Sequence, residues 1–453
     1  MTVPRASASG QRGRTVRVGC GAGFAGDRVQ PAVGLVDRGE LDYLVLECLA
    51  ERTTALGQLR RLADPAAGYD PSLDRRMRLL LKPLARTGTR LVTNIGSADP
   101  LAAARRVLRI AAELAVPVSV AAVTGDDVLD RIDVTAPAWE DGRPLVEHGE
   151  LVSASAYLGA DALLPALRSG AQVVIGGRIA DPSLFVAPLA HEFGWSLDDV
   201  DRIAGATTIG HLLECGGQVT GGYFADPPYK TVPDLAGLGY PIAEVDEGAA
   251  GVVTKLPGTG GRVDRMTVAE QLAYEVTDPR AYLTPDVTAD FTTVRIRETG
   301  PDRVRVTATT GAPRPPTLKV SVGYRAGFRC EAEISYAGAT ALHRARLAGQ
   351  VVADRLDGLI PRLRADYIGA TALHGDDLGG GAEPYECRLR IAGIAPTRDA
   401  VEAIGHEVTA LYTTGPAGGG GVRVTTEEVI GIVSTSIERS LVEPRVHHPV
   451  ADR

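Results

Sequence analysis

The residues best placed to do chemistry stand just past short apolar runs. The first such stretch, Thr15 to Arg28, reads TVRVGCGAGFAGDR and passes into a helical pattern behind Pro31. A β-branched run that ends in glycines and turns into a helix offers backbone N–H groups to an anion. Gly21, Gly23 and Gly26 are therefore candidate binding positions. Their spacing is that of a dinucleotide fingerprint, and Glu47, after Asp42-Tyr-Leu-Val-Leu, stands roughly where that fingerprint expects an acid. Asp27 argues the other way, because a carboxylate where a diphosphate would lie repels it unless a metal or an arginine intervenes. Asp27 and Glu47 are read instead as candidate acid–base groups. Glu51 is either a second such group or a helix cap paired with Arg52.

Two later segments share one design, Thr93-Asn-Ile-Gly-Ser-Ala-Asp-Pro100 and Gly176-Gly-Arg-Ile-Ala-Asp-Pro-Ser183. Each ends a strand and offers Ala-Asp-Pro before a helix. An Asp N-cap followed by Pro is a strong helix start, which accounts for at least one of Asp99 and Asp181. It does not account for Asn94 or Arg178. Arg178 is suited to clamp a carboxylate or phosphate, and Asn94 to orient a carbonyl. Asp181 is kept with them as a candidate substrate contact.

The densest reactive cluster is His211-Leu-Leu-Glu-Cys-Gly-Gly-Gln218. His211 and Glu214, three apart, share a helix face and suit an acid–base pair or a metal pair. Cys215 is either a nucleophile or inert packing. Thr254-Lys-Leu-Pro-Gly-Thr-Gly-Gly261 carries one of only four lysines in the chain, so Lys255 and Gly260 are candidates to cover an anionic group; the lysine precedes the glycines, unlike a Walker A loop. The loop Thr413–Gly421, with four consecutive glycines, is either a linker or a close approach of backbone to an interface or site.

Composition excludes several classes. A formal net charge of −8 leaves no basic footprint for nucleic acid. No apolar run approaches the ~20 residues that span a bilayer, and residues 1–14 read as a polar, disordered leader without the apolar stretch of a signal peptide. Five scattered cysteines (Cys20, Cys48, Cys215, Cys330, Cys387), an odd number without a C-x-x-C, point to reduced thiols in a cytoplasm rather than a zinc cluster.

The elements that must position these residues follow from periodicity. Val16–Gly19, Asp42–Glu47, Thr89–Thr93, Val118–Val123 and Ala171–Ile175 read as apolar strands, and Leu101–Leu114 and Ala160–Leu167 as helices. Strands alternating with helices predict βαβ units, so residues 15–283 are expected to form an α/β domain, a parallel sheet with helices on both faces in a Rossmann-like arrangement. Residues 130–152 are an excursion from it. Near Thr284 the pattern changes to a hairpin (Phe291–Glu298, Arg303–Thr309), strands at Leu318–Tyr324 and Cys330–Tyr336, and a long helix over Ala339–Leu363. Tyr385–Ile391 (strand), Ala400–Tyr412 (helix) and Val429–Ser436 (strand) complete a smaller α+β domain at 284–453.

Seven stretches together resemble the acyclic terpene utilisation family, AtuA: 21–28, 42–53, 93–100, 177–184, 210–224, 254–261 and 415–421. The resemblance implies a role beside pathways that degrade branched terpenoid acids as CoA thioesters; it carries over no catalytic residue. Longer members of the family add a ferredoxin-like module of about a hundred residues, which this chain is expected to lack. That implies a separate small ferredoxin-like subunit or a homo-oligomer. The leading expectation is a cytoplasmic lyase, hydratase or isomerase acting on an acyl-CoA or related carboxylic acid. In it His211, Glu47 or Asp27 moves the proton, no cofactor is assigned, and the need for a divalent metal stays open. The alternatives are a non-catalytic acyl-binding or scaffold subunit and a nucleotide-dependent oxidoreductase.

Overall fold

The computed structural model describes residues 14–375 and 383–450. The expected leader, apart from Arg14, lies outside them. The chain divides into two compact units. One comprises the described residues up to Gly142, Val152–Val322 and those from Ile432 onward; the other is Arg143–Leu151 with Gly323–Gly431.

The first unit alternates as its apolar runs predict. β1 (Thr15–Ala22), α1 (Gln30–Arg38), β2 (Tyr43–Leu46), α2 (Glu51–Ala63), α3 (Leu73–Thr87), β3 (Arg90–Thr93), α4 (Pro100–Glu113) and β4 (Val120–Thr124) lead to β5 (Leu151–Ala156). Then come α5 (Ala160–Arg168), β6 (Val173–Gly176), α6 (Ser183–Phe193), α7 (Val200–Glu214), β7 (Pro241–Asp246), β8 (Gly251–Lys255) and α8 (Arg265–Ala273). Short strands β9 (Tyr282–Leu283), β10 (Thr288–Asp290) and β13 (Thr310–Ala312) make a small sheet, and β11 (Arg295–Gly300) with β12 (Arg303–Thr307) is the expected hairpin. This unit runs past residue 284, to Val322.

Its sheet has ten strands in the order β11-β12-β8-β7-β1-β2-β3-β6-β4-β18, where β18 is Arg445–His447. The five from β1 to β4 in that order are mutually parallel. The strands outside them pair antiparallel, so the fold is mixed α/β and the sheet is not wholly parallel. The two strands β7 and β8 were not legible because their polar ends blur the apolar run.

β2, β3 and β6 are short and buried from end to end, apart from Arg90, as strands covered on both faces must be. On one face Leu44, Leu46 and Leu91 pack with Leu35 of α1, Met77 and Leu80 of α3 and Val107 of α4. On the other, the Tyr43 hydroxyl donates to Glu192 of α6 at 2.7 Å. Because the five strands are parallel, their carboxyl ends lie along one edge, where β1, β2, β3 and β6 release Gly23, Glu47, Asn94 and Arg178.

The second unit is built on four strands. β14 (Thr317–Ala337) enters it from the first unit, and α9 (Ala341–Leu356), β15 (Arg362–Ile368), β16 (Glu386–Ala395), α10 (Arg398–Thr414) and β17 (Gly420–Glu438) follow. The two strands expected at 318–324 and 330–336 are one continuous strand. The helix expected to reach Leu363 stops at Leu356 before a strand that its apolar pattern concealed. The sheet order β15-β16-β14-β17 with a βαββαβ succession is the split βαβ, or ferredoxin-like, topology. Ala345, Val352, Ile404 and Val408 cover one face of the sheet against Ile334, Leu389 and Ile391. A unit of ferredoxin-like topology therefore lies within this chain.

Among the described residues no helix is long and apolar enough to cross a membrane. All five cysteines are free thiols.

Candidate functional site

A cavity of about 640 Å³ opens at the carboxyl edge of the parallel strands, within the first unit. Its walls carry six carboxylates (Asp27, Glu47, Glu51, Asp181, Glu214, Glu275) and two cations, Arg178 and Lys319. So strong an acidic excess in a confined space must raise some carboxyl pKa values, because like charges and burial both disfavour ionisation.

Arg178 is the buried centre of the site, with its side chain 2 % exposed. Its backbone N–H is held by Asp126 at 2.7 Å, and its Nη1 donates to the Leu49 carbonyl at 3.0 Å. The guanidinium lies 4.1 Å from the centre of the Tyr157 ring, a cation–π contact strengthened by burial. Tyr157 is fixed there because the neighbouring Leu158 exchanges backbone hydrogen bonds with Arg178 and Ala180. Lys319, from β14, sits over the same ring at 4.9 Å and reaches Glu51 at 3.2 Å. Tyr157 also donates to Glu51. Glu51 is partly desolvated, which raises its pKa, but Arg178, the Tyr157 hydroxyl and Lys319 outweigh that and hold it down at about 2.

The other carboxyls go the opposite way. Burial lifts Asp181 to about 6, against the pull of Arg178. Burial and Asp181 push Glu47 and Glu214 well above the carboxylate range. The environment thus separates an ionised Glu51 from carboxyls whose protonated form burial favours, the pattern that divides acid from base roles. Asp181 Oδ1, Glu214 Oε2 and Arg178 Nε are buried without a hydrogen-bond partner among the described residues. Groups of that kind cost free energy unless something in the cavity satisfies them.

The expected site residues are brought together only in part. Asp27, Glu47, Arg178, Asp181 and Gly23 line the cavity. Asn94 does not; it donates to Glu47 Oε1 at 2.9 Å and accepts from the Cys48 backbone N–H at 2.7 Å, so it holds Glu47 rather than a ligand. His211 stands one layer back, its Nδ1 3.0 Å from Glu214 Oε1 and its ring packed by Tyr282 and Phe291. Burial lowers it to about 4, which keeps the imidazole neutral. Cys215 lines the cavity, but burial and Glu214 raise its thiol far from thiolate character.

The glycine loops are closed on themselves. Gly23 N–H donates to Asp27 Oδ2 at 2.7 Å, and Tyr240 donates to the other Asp27 oxygen at 2.9 Å. The N–H that a diphosphate would take is thus already bonded, and this loop does not fit a dinucleotide. Gly21 is buried against Ala32 and Leu46, and Gly26 lies against the Phe24 ring; neither faces the cavity. Lys255 is spent on the Thr259 carbonyl at 2.9 Å and Asp302 at 3.2 Å. Gly260 admits the Asp234 carbonyl, which a Cβ would meet at 1.9 Å. That loop is a packed joint behind Leu238 and holds no wall of its own.

Sequence reasoning missed Tyr157, Lys319 and Arg76. Lys319 had a signal, being one of four lysines, but it stands in an ordinary strand. Arg76 is fully buried in α3, and its guanidinium caps the Phe24, Ala25 and Asp27 carbonyls at 3.3, 3.0 and 3.2 Å. Nothing in a helix pattern announces that. Among the described residues no group of three or more His, Cys, Asp or Glu side chains is arranged to hold a metal ion.

The profile of the family described as "Acyclic terpene utilisation family protein AtuA" matches residues 16–448. No curated protein and no solved structure matches significantly.

Proposed function

The chain belongs to the acyclic terpene utilisation family AtuA, and we propose that it is an acid–base enzyme of branched or terpenoid carboxylic acid breakdown. Its reaction class is hydration, elimination or isomerisation next to a carboxylate or acyl thioester. The observation that carries this reading is the buried Arg178 guanidinium at the strand ends, in a cavity where Asp181 Oδ1 and Glu214 Oε2 are buried without a hydrogen-bond partner among the described residues; the opposite pKa directions of Asp181 and Glu51 agree with it. In this reading Arg178 and Lys319, steadied on Tyr157, bind and polarise the carbonyl or carboxylate. Asp181 takes and returns the proton, since a group with a pKa close to the working pH is the most effective donor and acceptor. Glu214, backed by neutral His211, and Glu47, held by Asn94, keep protons available in the same space. Arg178 and Lys319 can take one anionic head, while the acidic walls leave any phosphates of a CoA carrier outside. Free thiols at all five cysteines suit a cytoplasmic setting.

The test begins with a thermal-shift screen of branched acids and their CoA thioesters, with and without Mg²⁺, because a bound ligand stabilises by mass action. For a substrate found this way, Asp181→Asn is expected to lower kcat by roughly 10²–10⁴ with KM little changed. Arg178→Met is expected to act mainly through KM. Full turnover in both variants refutes the assignment.

A further inference from the structure

A second cavity, of about 270 Å³, adjoins the first and shares Tyr157, Asp181 and Lys319 with it. Its other walls are largely apolar: Trp139, Pro182, Tyr282, Leu283, Pro285 and Leu318. Two of these, Trp139 at 58 % and Leu283 at 66 % exposed, leave large hydrophobic side chains open to solvent at its rim. Apolar groups gathered at a concave site mark a place where something apolar is bound. Proton-moving and cationic groups stand at the junction of the two cavities, while the second offers a ligand hardly any charge of its own.

We infer that this second cavity is the subsite for the hydrocarbon tail of the substrate whose carboxyl or thioester head lies at Arg178, Lys319 and Asp181. The inference rests on the proposed function for the identity of the head. Its own basis is adjacency: Tyr157, Asp181 and Lys319 line both cavities, so a ligand held at those residues lies beside an apolar slot, and an extended alkyl chain is the occupant that suits it. Tyr282 links the two ends, since it walls the slot and its hydroxyl lies 3.3 Å from His211 Nδ1, behind Glu214. Residues Leu283, Thr317 and Leu318 then set chain length and branching, because they border the slot without reaching the charged groups.

The experiment is calorimetric titration of the full chain with straight-chain carboxylates from butanoate to dodecanoate, and with n-decanol, which has the tail but not the head. Affinity is expected to rise roughly fourfold per added methylene until the slot is full. Thr317→Trp, which fills the slot, is expected to abolish that rise and to leave butanoate binding unchanged. Leu283→Asp, at an exposed position, is expected to weaken decanoate at least tenfold and serves if Thr317→Trp does not fold. Affinity independent of chain length, or a rise that survives both variants, overturns the inference. So does loss of a dimer in Thr317→Trp without loss of tail affinity, which would assign the slot to a second copy. If carboxylates bind no better than decanol and Arg178→Met changes nothing, the reading of the head falls while the tail subsite stands.

Discussion

Asp99 and Asp181 each stand in an Ala-Asp-Pro triplet after a parallel strand, yet only Asp99 binds the helix it precedes. Its Oδ1 accepts from the Ala102 N–H at 2.9 Å, with Pro100 opening α4. Asp181 makes no such bond, because α6 begins one residue later, at Ser183, and its carboxyl is left in the cavity. The two substitutions should therefore separate cleanly. Asp99→Ala is expected to cost about 1 kcal/mol of stability in urea unfolding and to leave turnover intact. Asp181→Asn is expected to spare stability and to remove turnover; equal behaviour of the pair would refute the distinction. Local sequence offered the same signal at both positions. What divides them is Asp286, about a hundred residues on, whose carboxylate takes the Ser183 hydroxyl at 2.6 Å and the Ala160 N–H at 2.7 Å. Such a partner is invisible to any short window. Cys215 gives a companion prediction. A thiol pushed up by burial is a poor nucleophile, so Cys215→Ser should retain most activity, and a loss of more than a hundredfold would restore the nucleophilic reading.

At the scale of elements, the strand-to-helix loop after β1 is a wall held from three sides. Arg76 caps its carbonyls from α3, Asp27 ties its own Gly23 N–H, and Cys215–Gly216 press on Gly23 so closely that a Cβ there would meet the Cys215 carbonyl carbon at 2.3 Å. Glycine at 23 is thus required by the close approach of another backbone, not by a phosphate. Gly23→Ala should force the loop off α7 and lower both stability and ligand affinity. Arg76→Met should remove charge-assisted hydrogen bonds, each worth about 1.5–3 kcal/mol, and expose the loop to proteolysis near Phe24. A protease pattern unchanged from wild type in both variants would contradict this account. The strands and helices of the parallel core were legible from apolar period alone, and so was the edge on which ligand-binding groups gather. The use of each glycine was not. A glycine that admits backbone and one that admits a ligand leave the same letter in the sequence, and the atoms that decide between them belong to residues far along the chain.

For the whole molecule, buried carboxyls make stability depend on pH in an unusual sense. Burial lifts Asp126, Asp181 and Asp286 from an ordinary 3.8 to about 6, and Glu47 and Glu214 are raised as well. A carboxyl whose native pKa lies above its unfolded value binds more protons when folded. Its contribution is complete below the unfolded value and is lost as pH rises through the native one, at up to about 1.4 kcal/mol per group per pH unit. His211 works against this. Lowered from 6.5 to about 4 by burial, it favours the folded state above 6.5 and withdraws that support as pH falls toward 4. Glu51, held at about 2, withdraws its own support only below its ordinary 4.5. Between pH 8 and 5 the five raised carboxyls outnumber the two lowered histidines, His211 and His191, so the melting temperature should rise by a few degrees as pH is lowered across that range. Asp181→Asn, which removes one of these titrations and leaves the fold, should shrink the rise without abolishing it. Scanning calorimetry from pH 4 to 8 checks both points, and a melting temperature that climbs steadily with pH would mean that these carboxyls are ionised in the folded protein and that the acid–base assignment built on Asp181 is wrong.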